Sequence, residues 1–341
     1  MHMSDALLSP VVGGAFWVVS AGLIGHSAKK VSAESDGSKT VLMGVLGAFV
    51  FAAQMINFTI PGTGSSGHIG GGLLLAVLLG PWRAFITLAS VLVIQALFFA
   101  DGGLLALGCN IFNLAFFPAF IMWPLIYRPI AGDGSSSGRL AAGSILAATA
   151  GLVTGALSVV METTVSGISD LPFRTFVLFM LPIHLAIGVV EGLLTWGVLS
   201  FVMKTEPALL AEARKTTGSS GRLVPLMFLV AALATGGVVS WFTSTNPDGL
   251  EWSIAKVTGK KELSAAGTTH ELLGGLQRKL AFMPDYDFRH PEGAESTPSD
   301  NASQVNAGTS ASGILGSIMV LSVAGAAGLM LRKQSGKSAT W

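Results

Sequence analysis

The first two residues of the chain, Met1 and His2, carry groups that together can chelate a metal ion. Because the residue after the first Met is a bulky histidine, we expect Met1 to be retained and its α-amine to be free. The α-amine, the amide nitrogen of His2 and the His2 imidazole can close two small rings around one ion. Three nitrogens in one plane suit Ni(II) or Cu(II), and suit Co(II) less strongly. A fourth nitrogen would complete the square.

The composition of the chain is that of a protein surrounded by lipid. Hydrophobic residues make up 51% of the 341 residues and charged residues only 11%, whereas soluble proteins average about 25% charged residues. The net charge is +1 and there is no basic patch, so nucleic acid is not expected as a partner. The single cysteine, Cys109, cannot form an internal disulfide and is interpreted as a small buried hydrophobic residue.

Runs of about 20 apolar residues predict an all-α polytopic membrane protein. No secretory signal is expected before the first run, because such signals open with basic residues and the first charged side chain is Asp5. The third run is about 12 residues long, which predicts a tilted or partly buried helix supported by protein rather than a full crossing. The nine runs are 9–28, 40–58, 69–80, 82–99, 104–127, 140–165, 173–203, 223–242 and 314–331.

Basic residues predict the orientation of the spans. With the N-terminus outside and the C-terminus inside, 13 of the 20 Lys and Arg residues fall in inner loops or the inner tail, as the positive-inside rule requires. The polar stretch 206–221 is predicted to be an inner linker. It separates a first domain, 1–205, with seven spans from a second, 222–341, in which two spans flank about 70 outer residues.

Given this orientation, His68 is the histidine best placed to supply a fourth nitrogen to Met1 and His2. It follows an outer loop and stands among glycines, which allow close approach of another backbone. The other histidines are expected elsewhere. His26 lies at an inner helix end, His184 lies inside the seventh span, and His270 and His290 lie in the second domain. Considered by itself, His68 also fits an exposed loop histidine with no function.

Other motifs exclude several functions. Residues 62–67 spell a glycine-rich dinucleotide fingerprint, but no βαβ unit surrounds them, so we reject that reading. The complete P-loop pattern, Gly-x-x-x-x-Gly-Lys-Ser/Thr, is absent, so ATP hydrolysis by that route is not expected. An ion-coupled secondary transporter stays open as an alternative, although Glu191 is nearly alone as a mid-span acid. A membrane hydrolase is disfavoured, because neither a nucleophile elbow nor a His-Glu-x-x-His helix is present.

Several segments together resemble a known family. The first ten residues, MHMSDALLSP, the run 101–110, DGGLLALGCN, and the run 184–192, HLAIGVVEG, resemble the CbiM/NikM proteins. These are the substrate-binding S components of energy-coupling-factor (ECF) importers for cobalt and nickel. The second domain carries NPDGLEW at 246–252 and PDY at 284–286, which resemble the PDGLE-type relative of CbiN/NikN. The resemblance covers nearly the whole chain.

The resemblance implies a fused M and N subunit with about seven transmembrane helices plus a two-helix C-terminal module. In that family the metal is held by the N-terminal amine, the amide and imidazole of the second residue, and a histidine after the second span. These positions carry over onto Met1, His2 and His68. Residues Met3 and Ala6 stand where many members have Ile and Gly, so the choice between nickel and cobalt stays open, with a slight preference for nickel.

The resemblance also implies the surroundings of the protein. It predicts a multi-pass subunit of the bacterial plasma membrane that is not an enzyme and has no resident cofactor. Its cargo would be Ni²⁺ or Co²⁺, and its partners a CbiQ/NikQ-like coupling subunit and CbiO/NikO-like ATPase subunits.

Polar residues inside the apolar runs have two interpretations each. Asp101 and Asn110 are predicted either to orient the imidazoles or to serve as a helix cap and a helix–helix hydrogen bond. His184 and Glu191 are seven residues apart and share one helix face. We expect them to pair with each other or to face a partner subunit, and we do not assign them to the metal.

Overall fold

The structure, a computed structural model, describes residues 1–34, 38–206, 223–260, 263–264, 267–289 and 306–335. Eleven main helices lie in these ranges. They are α1 (Pro10–Ala33), α2 (Ser38–Gln54), α3 (Gly72–Leu79), α4 (Pro81–Phe98), α5 (Leu107–Ala131), α6 (Ser137–Ser166), α7 (Phe173–Thr205), α8 (Leu223–Gly237), α9 (Gly249–Thr258), α10 (Thr268–Leu280) and α11 (Ala307–Ser335). The strands of the described residues are β1 (Phe58–Ile60) and β2 (Ser65–Gly67), an antiparallel hairpin.

The predicted all-α polytopic architecture is confirmed. Six described helices are long and apolar enough to cross a membrane, namely α1, α4, α5, α6, α7 and α11. The apolar parts of α2 and α8 are shorter. Helix α5 has a wide π-helical stretch, Phe112–Tyr127, that contains Pro118 and Pro124; each proline removes one backbone donor from the regular α-helical ladder. The linker predicted at 206–221 lies, except for Glu206, outside the described residues.

The short third helix is buried, as its length predicts. All eight residues of α3 are buried. It begins at Gly72 rather than at residue 69, because Gly71 has a φ of +74°, in the left-handed region that glycine adopts without a steric penalty. At its other end Gly80 has a φ of +81°, and Pro81 then opens α4. Glycines with positive φ therefore bound α3 at both ends, and residues 68–71 precede it without regular secondary structure.

The two predicted domains pack into one helical bundle. Helix α2 of the first domain lies against α8 and α11 of the second. The approach is close enough that a Cβ at Gly44 would lie 2.6 Å from the carbonyl oxygen of Leu321. Small residues permit such backbone contact between helices in a membrane.

Loops of both domains meet at one end of the bundle. The backbone N–H of Ser66 donates to the carbonyl of Pro247 at 2.8 Å, and that of Ser244 donates to Asn57 at 2.7 Å. The indole of Trp252 donates to the carbonyl of Thr63 at 3.0 Å. The segment before α9 therefore lies along the β1–β2 hairpin, beside the N-terminal residues.

Candidate metal centre

The N-terminal residues are threaded into the bundle. Met1 is 5% exposed and Met3 is fully buried. Asn110, near the start of α5, accepts from the Met3 N–H at 2.8 Å and donates to the Met3 carbonyl at 3.2 Å. Gly103 N–H donates to the same carbonyl at 2.8 Å. Asn110 thus holds the N-terminal segment through the backbone of Met3.

Three predicted site residues lie together. The α-amine of Met1 lies 3.3 Å from Nε2 of His68, 67 residues away in the sequence. The rings of His2 and His68 stack, with centroids 5.0 Å apart and an interplanar angle of 16°. Nδ1 of His68 lies 3.1 Å from the carbonyl oxygen of Ile69. Because a carbonyl only accepts, Nδ1 carries the proton and Nε2 presents its lone pair to the amine.

Asp101 contacts the His2 imidazole, and its role in orienting that ring stays a prediction. Its Oδ1 lies 3.3 Å from Nδ1 of His2, and its Oδ2 accepts from the hydroxyl of Tyr286 at 2.5 Å. A chelate through the His2 amide needs Nδ1 of the same residue. The ring must therefore turn away from Asp101 before the two-ring chelate can form.

Asp248, which the sequence reasoning did not include in the site, contacts the α-amine. Its Oδ2 lies 3.4 Å from the nitrogen of Met1. Its Oδ1 accepts from the N–H groups of Leu250 and Glu251, each at 2.8 Å, and Glu251 completes a capping box. Asp followed three residues later by Glu is a recognisable helix-start signal. Nothing local in the sequence links that signal to Met1.

His184 and Glu191 do not pair with each other, which corrects the first expectation for them. The two oxygens of Glu191 accept from the N–H groups of Gly70 and Gly71, at 2.8 and 3.0 Å. His184 lines a small cavity of about 10 Å³ together with Met1, His68 and Asp248. Both side chains are buried and hold or border the candidate site rather than facing outward.

The remaining histidines lie apart from this cavity. His26 packs against Trp82 with ring centroids 5.2 Å apart, and His270 contacts the carbonyl of Leu8 at 2.9 Å. His290 lies outside the described residues.

Burial and charge keep the site imidazoles neutral. Burial, followed by the positive α-amine, lowers the pKa of His2 to about 3. The same two causes lower the pKa of His68 to about 3, with His2 contributing further. Burial acts to raise the pKa of Asp248, but the α-amine and His68 outweigh it and hold that pKa well below its usual range. At neutral pH the site therefore offers two unprotonated imidazoles and one carboxylate.

A second, larger cavity of about 810 Å³ shares His68 and Asp248 with the small one and is also lined by His2. Its acidic lining residues are Asp5, Asp101, Asp248, Glu251, Glu271 and Asp285. Such a lining raises the local concentration of cations. No group of three or more His, Cys, Asp or Glu side chains with metal-binding spacing occurs in the described part of the chain.

Comparisons with known proteins agree with this picture. The CbiM family, described as a cobalt uptake substrate-specific transmembrane region, matches residues 2–209, and the PDGLE domain matches residues 222–333. The fused nickel transport protein NikMN of Rhodobacter capsulatus is 31% identical over 63% of this chain and 65% of its own length. The cobalt transport protein CbiM of Sorangium cellulosum is 29% identical over 62% of this chain and 94% of its own.

Among solved structures, a crystal structure of a transition metal transporter is similar, with a TM-score of 0.55 and 30% sequence identity. The similarity covers 64% of this chain and all of that one. The family match, the second-domain match and the shared fold extend over most of the sequence. The chain therefore belongs to the CbiM/NikM family of metal-transport components, fused to a C-terminal CbiN-like PDGLE domain.

Proposed function

We propose that this chain is the substrate-binding membrane subunit of an ECF-type importer for nickel, cobalt or both. The ion is captured by the α-amine of Met1, the amide nitrogen and Nδ1 of His2, and Nε2 of His68. One observation carries the proposal: the α-amine lies 3.3 Å from Nε2 of His68 inside the bundle. This contact places the amine nitrogen and an imidazole lone pair close enough for one ion to bind both.

The protonation of the empty site supports capture of a cation. The imidazoles of His2 and His68 are neutral, since burial holds their pKa values near 3, so they need not lose a proton before they bind. The amine is the group that pairs with Asp248. The ion binds the amine and the His2 amide in their deprotonated forms, so it displaces a proton from each of these nitrogens.

Transport requires other chains. The complete P-loop pattern is absent from the sequence, so we assign ATP hydrolysis to separate ATPase subunits and their coupling to this chain to a transmembrane partner. In this proposal the N-terminus and the acidic cavity face outward in a bacterial plasma membrane, and the basic helix ends face the cytoplasm. The domains are 1–205 for binding and 222–341 for the module that covers the site.

The test is equilibrium binding of NiCl₂ and CoCl₂ to purified full-length protein with a native N-terminus. Intact-mass analysis first establishes that the polypeptide starts at Met1. Isothermal titration is expected to give one tightly bound ion per chain, and a His2→Ala variant is expected to lose it. One ion bound equally well by the His2→Ala variant would rule out the proposed site.

A further inference from the structure

Helix α10 in the C-terminal module carries an exposed apolar stripe. Leu272, Leu276 and Leu280 are 68%, 47% and 38% exposed, and their spacing of four residues places them on one side of the helix. None of the 13 residues of α10 is buried. The described residues therefore leave this leucine stripe uncovered, and an uncovered apolar stripe on a helix is typical of contact with another molecule or with a membrane.

Another side of α10 packs on the ends of two membrane spans. Gln277 donates to the carbonyl oxygens of Ala96 and Gly102, at 2.9 and 2.7 Å, which places the helix at the end of α4. His270 lies 2.9 Å from the carbonyl oxygen of Leu8, two residues before α1 begins. These contacts hold α10 where α1 begins and α4 ends, on the side of the candidate metal centre.

The segment after α10 reaches a third span. Asp287 accepts from the side-chain amide of Asn306 at 3.2 Å, directly before α11 begins at Ala307. Between α10 and Asp287, Phe282 packs on Phe98, the last residue of α4, with ring centroids 5.7 Å apart. The chain from α10 to Asp287 therefore runs across the ends of α1, α4 and α11.

Two of these spans present apolar side chains outward. On α1, Val11 and Val18 are 81% and 75% exposed, and on α11 Ile318 is 48% exposed. Because both helices are long and apolar enough to cross a membrane, we take these side chains to contact lipid. Helix α10 lies at the ends of these spans, where acyl chains give way to headgroups. Lys279, exposed and three residues after Leu276, suits contact with headgroup phosphates, because a lysine stem lies on apolar surface while its ammonium reaches outward.

We propose that α10 is an interfacial helix and that the leucine stripe lies in the phospholipid leaflet on the side of the candidate metal centre. Helices with one apolar side and one charged side bind in this way, in the plane of the membrane interface. The polar side of α10, which includes Glu271, lines the larger cavity. The helix is therefore a boundary between the phospholipid surface and that acidic cavity.

Fluorescence of a probe attached to α10 tests this position in the full-length protein, reconstituted in phosphatidylcholine nanodiscs. Cys109→Ala removes the native thiol, and a nitrobenzoxadiazole probe is attached to Leu276→Cys. The matched control is Glu271→Cys on the polar side of the same helix, and Val18→Cys is the lipid-facing reference. A phosphatidylcholine that carries a nitroxide on its acyl chain serves as the quencher.

We expect the probe at Leu276→Cys to show blue-shifted emission and severalfold stronger quenching by the nitroxide lipid than the probe at Glu271→Cys, close to the values at Val18→Cys. Leu272→Cys repeats the measurement one turn earlier, in case the first variant does not fold. Water-like emission with weak quenching at the leucine positions would overturn the proposal. Blue-shifted emission without quenching would overturn it as well, because it would mean that protein, rather than lipid, covers the leucine stripe.

Discussion

The carboxylate of Asp248 lies 3.4 Å from the α-amine of Met1, and this contact joins residues 247 positions apart. The same carboxylate caps α9 through its other oxygen. The residue that begins α9 of the C-terminal module therefore also contacts the first nitrogen of the chain. The contact links the position of that module to the chemical state of the terminal amine.

Replacing Asp248 separates its two roles. Asn caps helices about as well as Asp, whereas Ala lacks the cap, which typically costs about 1 kcal/mol. We expect both variants to lower the thermal stability, since both lose the ion pair with the α-amine, and Asp248→Ala to lower it further because it also loses the cap. The net charge beside the carboxylate is about +1 in both states of the site. It is the charge of the amine when the site is empty, and that of a divalent ion bound to one deprotonated amide when the site is filled.

The nickel affinity of Asp248→Asn is therefore expected to stay within about tenfold of wild type. Isothermal titration and thermal melts of the same preparations give both quantities. A much larger loss of affinity in the Asn variant would mean that the carboxylate binds the ion directly.

His68→Ala is expected to abolish tight nickel binding. The variant removes one of four nitrogens, so the loss of affinity should exceed the roughly 10–100-fold effect of changing a group that only supports a ligand. His26→Ala is the matched control, because that ring packs on Trp82 away from the site. Competition against a chelator of known affinity measures both. Wild-type affinity in the His68→Ala variant would contradict the assignment of its imidazole.

The pH dependence of binding follows from the lowered pKa values of His2 and His68. A group whose pKa is held near 3 stays neutral until the pH falls to that range. Between about pH 5.5 and 7 the imidazoles therefore release no protons on binding, and the number of protons released per ion should not rise as the pH is lowered. Titration calorimetry in buffers of different ionisation enthalpy counts them. A release that rises by up to two protons per ion at the acid end would show ordinary imidazoles.

The order of metal affinities is a further expectation. Nitrogen ligands favour Cu(II) over Ni(II) and Ni(II) over Co(II), and Mg(II) and Ca(II) prefer oxygen. Competition titrations with the purified protein measure this order. Because copper would bind more tightly than nickel or cobalt, the metal bound in the cell depends on which metal is available. Displacement of Ni(II) by Mg(II) or Mn(II) at comparable concentration is the result that this account does not allow.

Much of the fold is predictable because the signals are local. Each of the nine apolar runs contains a helix in the structure, since run length and composition decide burial in lipid. Helices α9 and α10 were not predicted, because they lie within a polar loop that lacks a long apolar run. The capping box of Asp248 and Glu251 was the available signal for α9.

The candidate site was predictable only in part. The chemistry of a terminal amine and a neighbouring His2 is visible in the sequence, and the orientation of the spans singles out His68. Asp248 could not be assigned, because only packing across the two domains brings it to Met1. The position of His184 beside the small cavity could not be predicted either, because a lone histidine in an apolar run gives no sign of what its ring will face.

The most direct test of the account is nickel binding by a protein with one glycine placed ahead of Met1. Every side chain is kept, but the terminal amine leaves the two-ring chelate, and the buried end of the chain, 5% exposed at Met1, has little room for an added residue. The control carries the same glycine after Trp341. We expect the N-extended protein to be made and inserted normally but to bind no nickel tightly, and the C-extended protein to bind nickel like wild type. Full nickel binding by the N-extended protein would contradict the account and would mean that side chains alone bind the metal.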